Sequence, residues 1–137
     1  MASLPLVTAV RDAIKASDMW TVLHTPAVAT QATKSKAAGA AGVQHVAKRL
    51  FVMFAVGATA QTAAVNVNLI DGATGGAAIL WALVSALLPA SSAGIWYADV
   101  DNLFAVGTAA TAMTLEFSAA GAAGTAQSLT LQGFDIA

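Results

Sequence analysis

Hydrophobic and polar residues alternate strictly in several parts of the chain, most clearly in the segment TAAVNVNLIDG. There Val65, Val67 and Leu69 alternate with two asparagines and an isoleucine, and the run ends at an Asp-Gly pair. Successive side chains of a β-strand point to opposite faces, so the pattern predicts a strand with one apolar and one largely polar face. Asp-Gly readily adopts positive φ, which predicts a reversal into a second strand over residues 77–87.

The same alternation returns over residues 112–118 and again over residues 127–132. In both segments every second residue is large and apolar, while the residues between them are mainly small or polar. The alternation predicts that these strands share a core with the first one. The predicted core residues are Val65, Val67, Leu69, Met113, Leu115, Phe117, Leu129 and Leu131.

Two further segments, residues 43–56 and 95–104, also have the composition of strands. The first is apolar on both faces beyond Leu50, which indicates that both faces are covered. Gly133 interrupts the last strand and predicts a bulge or a parity change there. Short strands without a helical pattern between them predict an all-β fold, an antiparallel β-sandwich or jelly roll.

The first 41 residues differ from the rest in composition and in the spacing of their apolar residues. Residues 4–16 carry apolar side chains at helical spacing and predict a short helix, and residues 18–25 predict a strand or an extended arm. Residues 26–42 are rich in Ala, Thr, Lys and Gly, which favours an extended segment or loop. We therefore expect an N-terminal arm over residues 1–41, followed by a β-sandwich domain over residues 42–137.

The composition of the chain indicates that its surface is covered by partners. The chain is 58% hydrophobic and only 9% charged, whereas ordinary domains carry about 25% charged residues. So few charges are poorly suited to the surface of a free monomer. The composition predicts a homo-oligomer, most simply a trimer, or docking onto another protein.

Charge is also distributed unevenly along the chain. All six basic residues precede residue 50, and the five acids from Phe51 onward have no basic residue among them. This asymmetry suggests that the N-terminal arm docks onto an acidic surface of a partner or of another copy. The predicted docking residues are Arg11, Ile14, Lys15, Trp20, Val22, Leu23, Lys34 and Lys36.

Candidate chemistry is sparse. His24 and His45 have no Cys or carboxylate nearby in sequence at ligand or triad spacing, and Asp99 and Asp101 begin like a calcium loop that lacks its glycine and closing glutamate. Phosphate loops, nucleophile elbows and zinc spacings do not occur. We therefore predict no enzyme, no catalytic residues, no metal site and no cofactor. Basic residues are too scattered for nucleic-acid binding, and the apolar run over residues 77–88 is too short to cross a membrane.

The aromatic residues allow two interpretations. Trp81, Trp96 and Tyr97, with Trp20 as a further candidate, have the side chains that stack on sugar rings. An aromatic residue within an apolar strand is more commonly part of a core or an interface. We favour the core, and glycan binding stays open as the alternative.

Several segments together resemble the small virion proteins of tailed bacteriophages. They are VQHV leading into a long strand, then VNVNLIDGATGGAAILWA, then GTAATAMTLEFSAAG followed by SLTLQGFD. The similarity covers residues 42–137 and is greatest to jelly-roll decoration (cement) proteins. It implies a β-sandwich, commonly trimeric, on the exterior of the capsid, with the major capsid protein as partner.

The expected function is therefore that of a structural virion protein that binds and stabilises a phage head shell. One rival is a phage tail, spike or head-fibre module that binds host surface glycan. Another is a β-sandwich binding or surface-assembly domain outside any virus.

Overall fold

The computed structural model describes residues 19–84 and 94–137, and these residues form nine β-strands and no helix. The strands are β1 (Trp20–His24), β2 (Thr33–Lys36), β3 (Gln44–Ala55), β4 (Asn66–Asp71), β5 (Ile79–Val84), β6 (Ile95–Val100), β7 (Ala105–Val106), β8 (Met113–Phe117) and β9 (Ala126–Ile136). The described part of the chain holds no helix with the length and apolar character that crossing a bilayer requires.

The strands form two antiparallel sheets that pack face to face. Sheet I has the order β1-β9-β3-β6, with the short β7 beside β3, and sheet II has the order β2-β8-β4-β5. The pairs are nested along the chain: β4 with β5, β3 with β6, β2 with β8 and β1 with β9. This nesting of eight strands in two sheets is the winding of a jelly roll. The predicted fold class is confirmed.

The core lies between the sheets and is supplied by every second residue of the long strands. All eight residues predicted to share it are buried, at most 5% exposed. Phe54 and Phe117 meet edge to face across it, with ring centroids 6.4 Å apart. Burying a side chain of this size stabilises the fold by about 1.5–3 kcal/mol. The period of two in the sequence therefore fixes which face of each strand points inward.

The reversal predicted after β4 is present. The amide of Asp71 donates to the carbonyl of Ala78, and Gly72 and Gly75 adopt positive φ values of 147° and 76°. The carboxylate of Asp71 also accepts hydrogen bonds from the amide and hydroxyl of Thr108. The predicted second strand is confirmed over β5, and the end of its predicted range lies outside the described residues.

Near Gly133 a bulge is present on the opposite strand, and the buried positions of β9 change parity. The register between β3 and β9 shifts between Ala47 and Arg49, so Lys48 is the extra residue of a bulge. Ala47 and Leu50 consequently both face the core, although their spacing in sequence is odd. Gly133 pairs directly with Ala47, and the buried positions of β9 change parity after it, since Phe134 is buried and Asp135 is exposed.

The expected boundary between an arm and a sandwich near residue 41 is wrong for the residues that are described. β1 pairs with β9 over five residues, and β2 pairs with β8 over four. These are the first two described strands of the jelly roll, so the sandwich includes the residues from Trp20 onward. The physical reason is that β8 and β9 are interior strands, whose backbone groups need a partner on both sides. The helix expected over residues 4–16 lies outside the described residues.

We predict that deleting residues 1–36 abolishes cooperative folding. The deletion removes β1 and β2 and leaves one edge of β8 and one edge of β9 without hydrogen-bond partners. Thermal denaturation followed by circular dichroism measures the effect. Deleting residues 1–18 is the control, because every described strand lies beyond them, and it is expected to leave a cooperative transition. A folded 37–137 fragment would contradict the assignment of β1 and β2 to the sheets.

Candidate docking surfaces

The predicted docking residues divide into three groups in the structure. Trp20 and Val22 pack against the core of their own sandwich, so their expected burial against a partner is corrected. Leu23, on the opposite face of β1, is 60% exposed. Lys34 is exposed and Lys36 is half-buried on β2. The other three, Arg11, Ile14 and Lys15, lie outside the described residues.

Trp20 is held against the last strand of the chain. Its indole Nε1 donates a hydrogen bond of 2.8 Å to Oδ1 of Asp135. Its ring covers Gly133, where an added Cβ would lie 2.5 Å from Trp20 Cζ2 and 2.2 Å from the carbonyl oxygen of Val46. Lys36 Nζ lies 5.8 Å from the centroid of the same ring, a distance that suits a cation–π contact. Glycine at position 133 therefore allows β1 to close onto β9.

His45 completes this cluster and is 1% exposed. Its Nδ1 lies 2.6 Å from Asp135 Oδ1, and its Nε2 lies 2.7 Å from the carbonyl oxygen of Ala37. Both ring nitrogens are thus within hydrogen-bond distance of an oxygen atom from another part of the chain. The sequence did not reveal this pairing, because His45 and Asp135 are 90 residues apart. His45 therefore links β3 to β9 and to the segment that follows β2.

The β1–β2 edge is one lateral side of the sandwich, where the first strands of the two sheets lie next to each other. His24 joins them by accepting a hydrogen bond from the amide of Thr33. Among the described residues, Lys34 and Lys36 are the cations without a carboxylate within ion-pair distance. Lysine on an edge strand disfavours the addition of another strand. This edge thus presents positive charge together with the exposed side chain of Leu23.

The outer face of sheet I presents apolar side chains at its other edge. We call Phe51, Met53, Ile95 and Tyr97 the β6 patch. Ile95 and Tyr97 are 59% and 65% exposed, and Phe51 and Met53 on β3 are half-buried beside them. The rings of Phe51 and Tyr97 stack at 6.2 Å with an interplanar angle of 24°. A contiguous exposed apolar patch of this kind marks a contact surface more often than an isolated residue does.

The charges next to the β6 patch neutralise one another. Arg49 donates two hydrogen bonds to the carboxylate of Asp99, at 3.0 and 2.8 Å, and Lys48 donates to Asp101 at 3.0 Å. The two aspartates that begin like a calcium loop are thus ion-paired. Among the described residues, no group of three or more His, Cys, Asp or Glu could hold a metal ion.

These ion pairs change the acid–base properties of their members. Hydrogen bonding from Arg49 lowers the pKa of Asp99 and, reciprocally, raises the pKa of Arg49. Hydrogen bonding from Lys48 lowers the pKa of Asp101. Since both carboxyl pKa values are lowered on folding, their contribution to stability is present above the ordinary carboxyl range and is lost as pH falls through the lowered values. All these groups are on the surface, so the contribution is small.

The aromatic residues do not form one sugar-binding platform. Trp81 and Trp96 pack against the core, and the ring centroid of Trp96 lies 5.4 Å from that of Phe54. Tyr97 is the next residue on β6 and points to the opposite face. A shallow depression of about 230 Å³ lies beside the β6 patch, lined by Arg49, Phe51, Thr130 and Gln132. One aromatic ring and polar side chains line it.

We predict that His45→Ala lowers the free energy of unfolding by about 2–3 kcal/mol, because a fully buried side chain and its hydrogen-bond contacts with Asp135 Oδ1 and the carbonyl oxygen of Ala37 are lost. His24→Ala is the control: it removes one acceptor at a half-buried site and is expected to cost about 1 kcal/mol. Urea denaturation measures both. Equal losses for the two variants, or a larger loss for His24→Ala, would contradict the role assigned to the His45 cluster.

Comparison with known proteins gives little further information. No known protein family matches this chain, and no curated protein matches it. Among solved structures, the chain is similar to one described as "Bacillus endospore appendages form a novel family of disulfide-linked pili", at 18% sequence identity. The similarity covers 85% of both chains, with a TM-score of 0.27. A TM-score this low carries no argument about fold or function.

Proposed function

We propose that the protein is a structural component of a tailed-phage virion that decorates the exterior of the head and stabilises its shell. Its partner is the major capsid protein, and its role requires binding without catalysis. The proposal is supported by the resemblance of residues 42–137 to decoration proteins and by the jelly-roll winding of the described strands. The low charge content also suits a protein whose surface is largely covered in an assembly.

The observation that carries the proposal is the unbalanced charge of the β1–β2 edge. Lys48 and Arg49 have carboxylate partners, whereas Lys34 and Lys36 have none among the described residues. A cation without a carboxylate partner in its own subunit is available to a carboxylate of another protein, and Lys34 is the more exposed of the two. The edge therefore suits an acidic surface on the coat, with Leu23 supplying apolar contact.

Contact at this edge is made by side chains. Edge lysines discourage backbone pairing with a further strand, so the sandwich docks as a preformed body. Arg11, Ile14 and Lys15 precede β1 in the chain and belong to the proposed docking set with Leu23 and the two lysines. Attraction between such a basic edge and an acidic coat speeds association and weakens as salt rises.

Glycan binding as a spike or fibre module is not favoured by any specific contact. It relied on Trp81, Trp96 and Tyr97 acting together, and two of these three side chains pack against the core. The remaining aromatic pair, Phe51 with Tyr97, has the exposed apolar character of a protein contact.

We predict that the double variant Leu23→Ser/Lys34→Gln binds undecorated phage heads about tenfold more weakly than the wild type at low salt. Cosedimentation with heads assembled from the cognate major capsid protein measures this. Lys48→Gln is the control, because it removes the same charge from a cation that is already paired. It is expected to change binding less than about twofold.

Two results would overturn the proposal. One is a wild-type protein that does not bind such heads at all. The other is a Lys48→Gln variant that loses as much affinity as the double variant, since any positive charge would then serve and the β1–β2 edge would have no special part.

A further inference from the structure

The β6 patch lies away from the edge to which coat docking is assigned. β6 and β1 are the two outermost strands of sheet I, and the interior strands β9 and β3 lie between them. The patch joins exposed residues of β6 to half-buried residues of β3 on one outer face. Leu23 is on the same outer face, and Thr130 of β9 lies between it and Phe51. Substitutions at Leu23 and Lys34 therefore have to be compared with substitutions at Ile95 and Tyr97 to tell the two surfaces apart.

Electrostatics limits what that occupant can be. The charged residues next to the patch on the same face are Arg49 and Asp99, and each neutralises the other. A strongly charged partner gains nothing from such a surface. A second copy of the same surface carries the same neutral pair, so the two copies do not repel each other. Arg49 of one copy can also approach Asp99 of another, because cation and anion lie side by side.

The backbone of β6 also bears on the choice of partner. Among the described residues, β6 is hydrogen-bonded on one side only, to β3. Like the edge strands β1 and β5, and unlike β2, β6 carries no lysine or proline; what distinguishes β6 is the apolar patch on its outer face. An apolar edge strand that lacks lysine or proline is suited to contact with another chain.

We propose that the β6 patch, with the outer edge of β6, is the surface through which copies of this chain associate. A stable interface buries about 800 Å² on each partner, which is more than four side chains supply. The contact therefore extends over the adjoining outer-face residues of sheet I, including Ala126 and Ser128, which are small and permit close approach. Tyr97 and Phe51, already stacked on each other, form its rigid centre.

This inference deepens the proposed function by naming the surface of its oligomer, and its test needs no capsid. Sedimentation equilibrium of the full chain is measured over a range of micromolar concentrations. The wild type is expected to reach a mass that is a multiple of 13.6 kDa. The variant Ile95→Lys/Tyr97→Lys is expected to associate at least about 100-fold more weakly, because like charges then face each other.

The control is Val28→Lys, at a residue that is 58% exposed in the loop between β1 and β2. It introduces lysine at similar exposure away from the β6 patch and is expected to leave association unchanged. Far-UV circular dichroism and the thermal midpoint are expected to be the same for all three proteins. The single variant Tyr97→Lys, at the most exposed position of the patch, serves if the double variant is less stable than the wild type.

A monomeric wild type would overturn this inference, as would equal weakening by Val28→Lys or no weakening by the Ile95 and Tyr97 substitutions. If the wild type were monomeric and the Ile95→Lys/Tyr97→Lys variant no longer bound heads, the patch would belong to the coat contact. The assignment to a second copy would then be wrong, while the proposed function would stand. Loss of head binding in Leu23→Ser/Lys34→Gln with association intact would support both assignments.

Discussion

The structure depends on β9 lying between β1 and β3. This strand pairs with the first described strand on one side and with the longest strand on the other, so it ties the two ends of the jelly roll together. The approach is possible because Gly133 leaves room for the indole of Trp20. Asp135, two residues later on the same face, then accepts hydrogen bonds from Trp20 and His45. Packing and polar contacts at one corner thus close sheet I.

The sequence predicted the longer, apolar strands and missed the short strand β2. β4, β8 and β9 alternate clearly, and their inward residues were identified correctly. β2 is four residues long and reads Thr-Lys-Ser-Lys, so it has no apolar face from which a strand could be predicted. It forms because β8 needs a partner, and that need comes from tertiary structure. The His45–Asp135 contact could not be predicted from a sequence motif either. The two residues come together because β3 pairs with β9.

The candidate docking surfaces were also predicted only in part. Charge asymmetry in the sequence pointed to the N-terminal region, and Leu23 and Lys34 are indeed exposed there. Trp20 and Val22 were assigned to a partner but contact their own core, since alternation along β1 turns them inward and Leu23 outward. The β6 patch was not predicted, although Trp96 and Tyr97 are neighbours on a strand and must point to opposite faces. Applying that rule would have separated the core aromatic residue from the exposed one.

The central proposal is that the two lateral sides of the sandwich bind different partners: the β1–β2 edge binds the coat, and the β6 side binds further copies. Hydrogen–deuterium exchange of the full chain at low and high protein concentration tests this directly. The account predicts that amides of β6 become more protected as concentration rises, while those of β1 and β2 are protected equally at both concentrations. Concentration-dependent protection at β1 or β2, or none at β6, would contradict it.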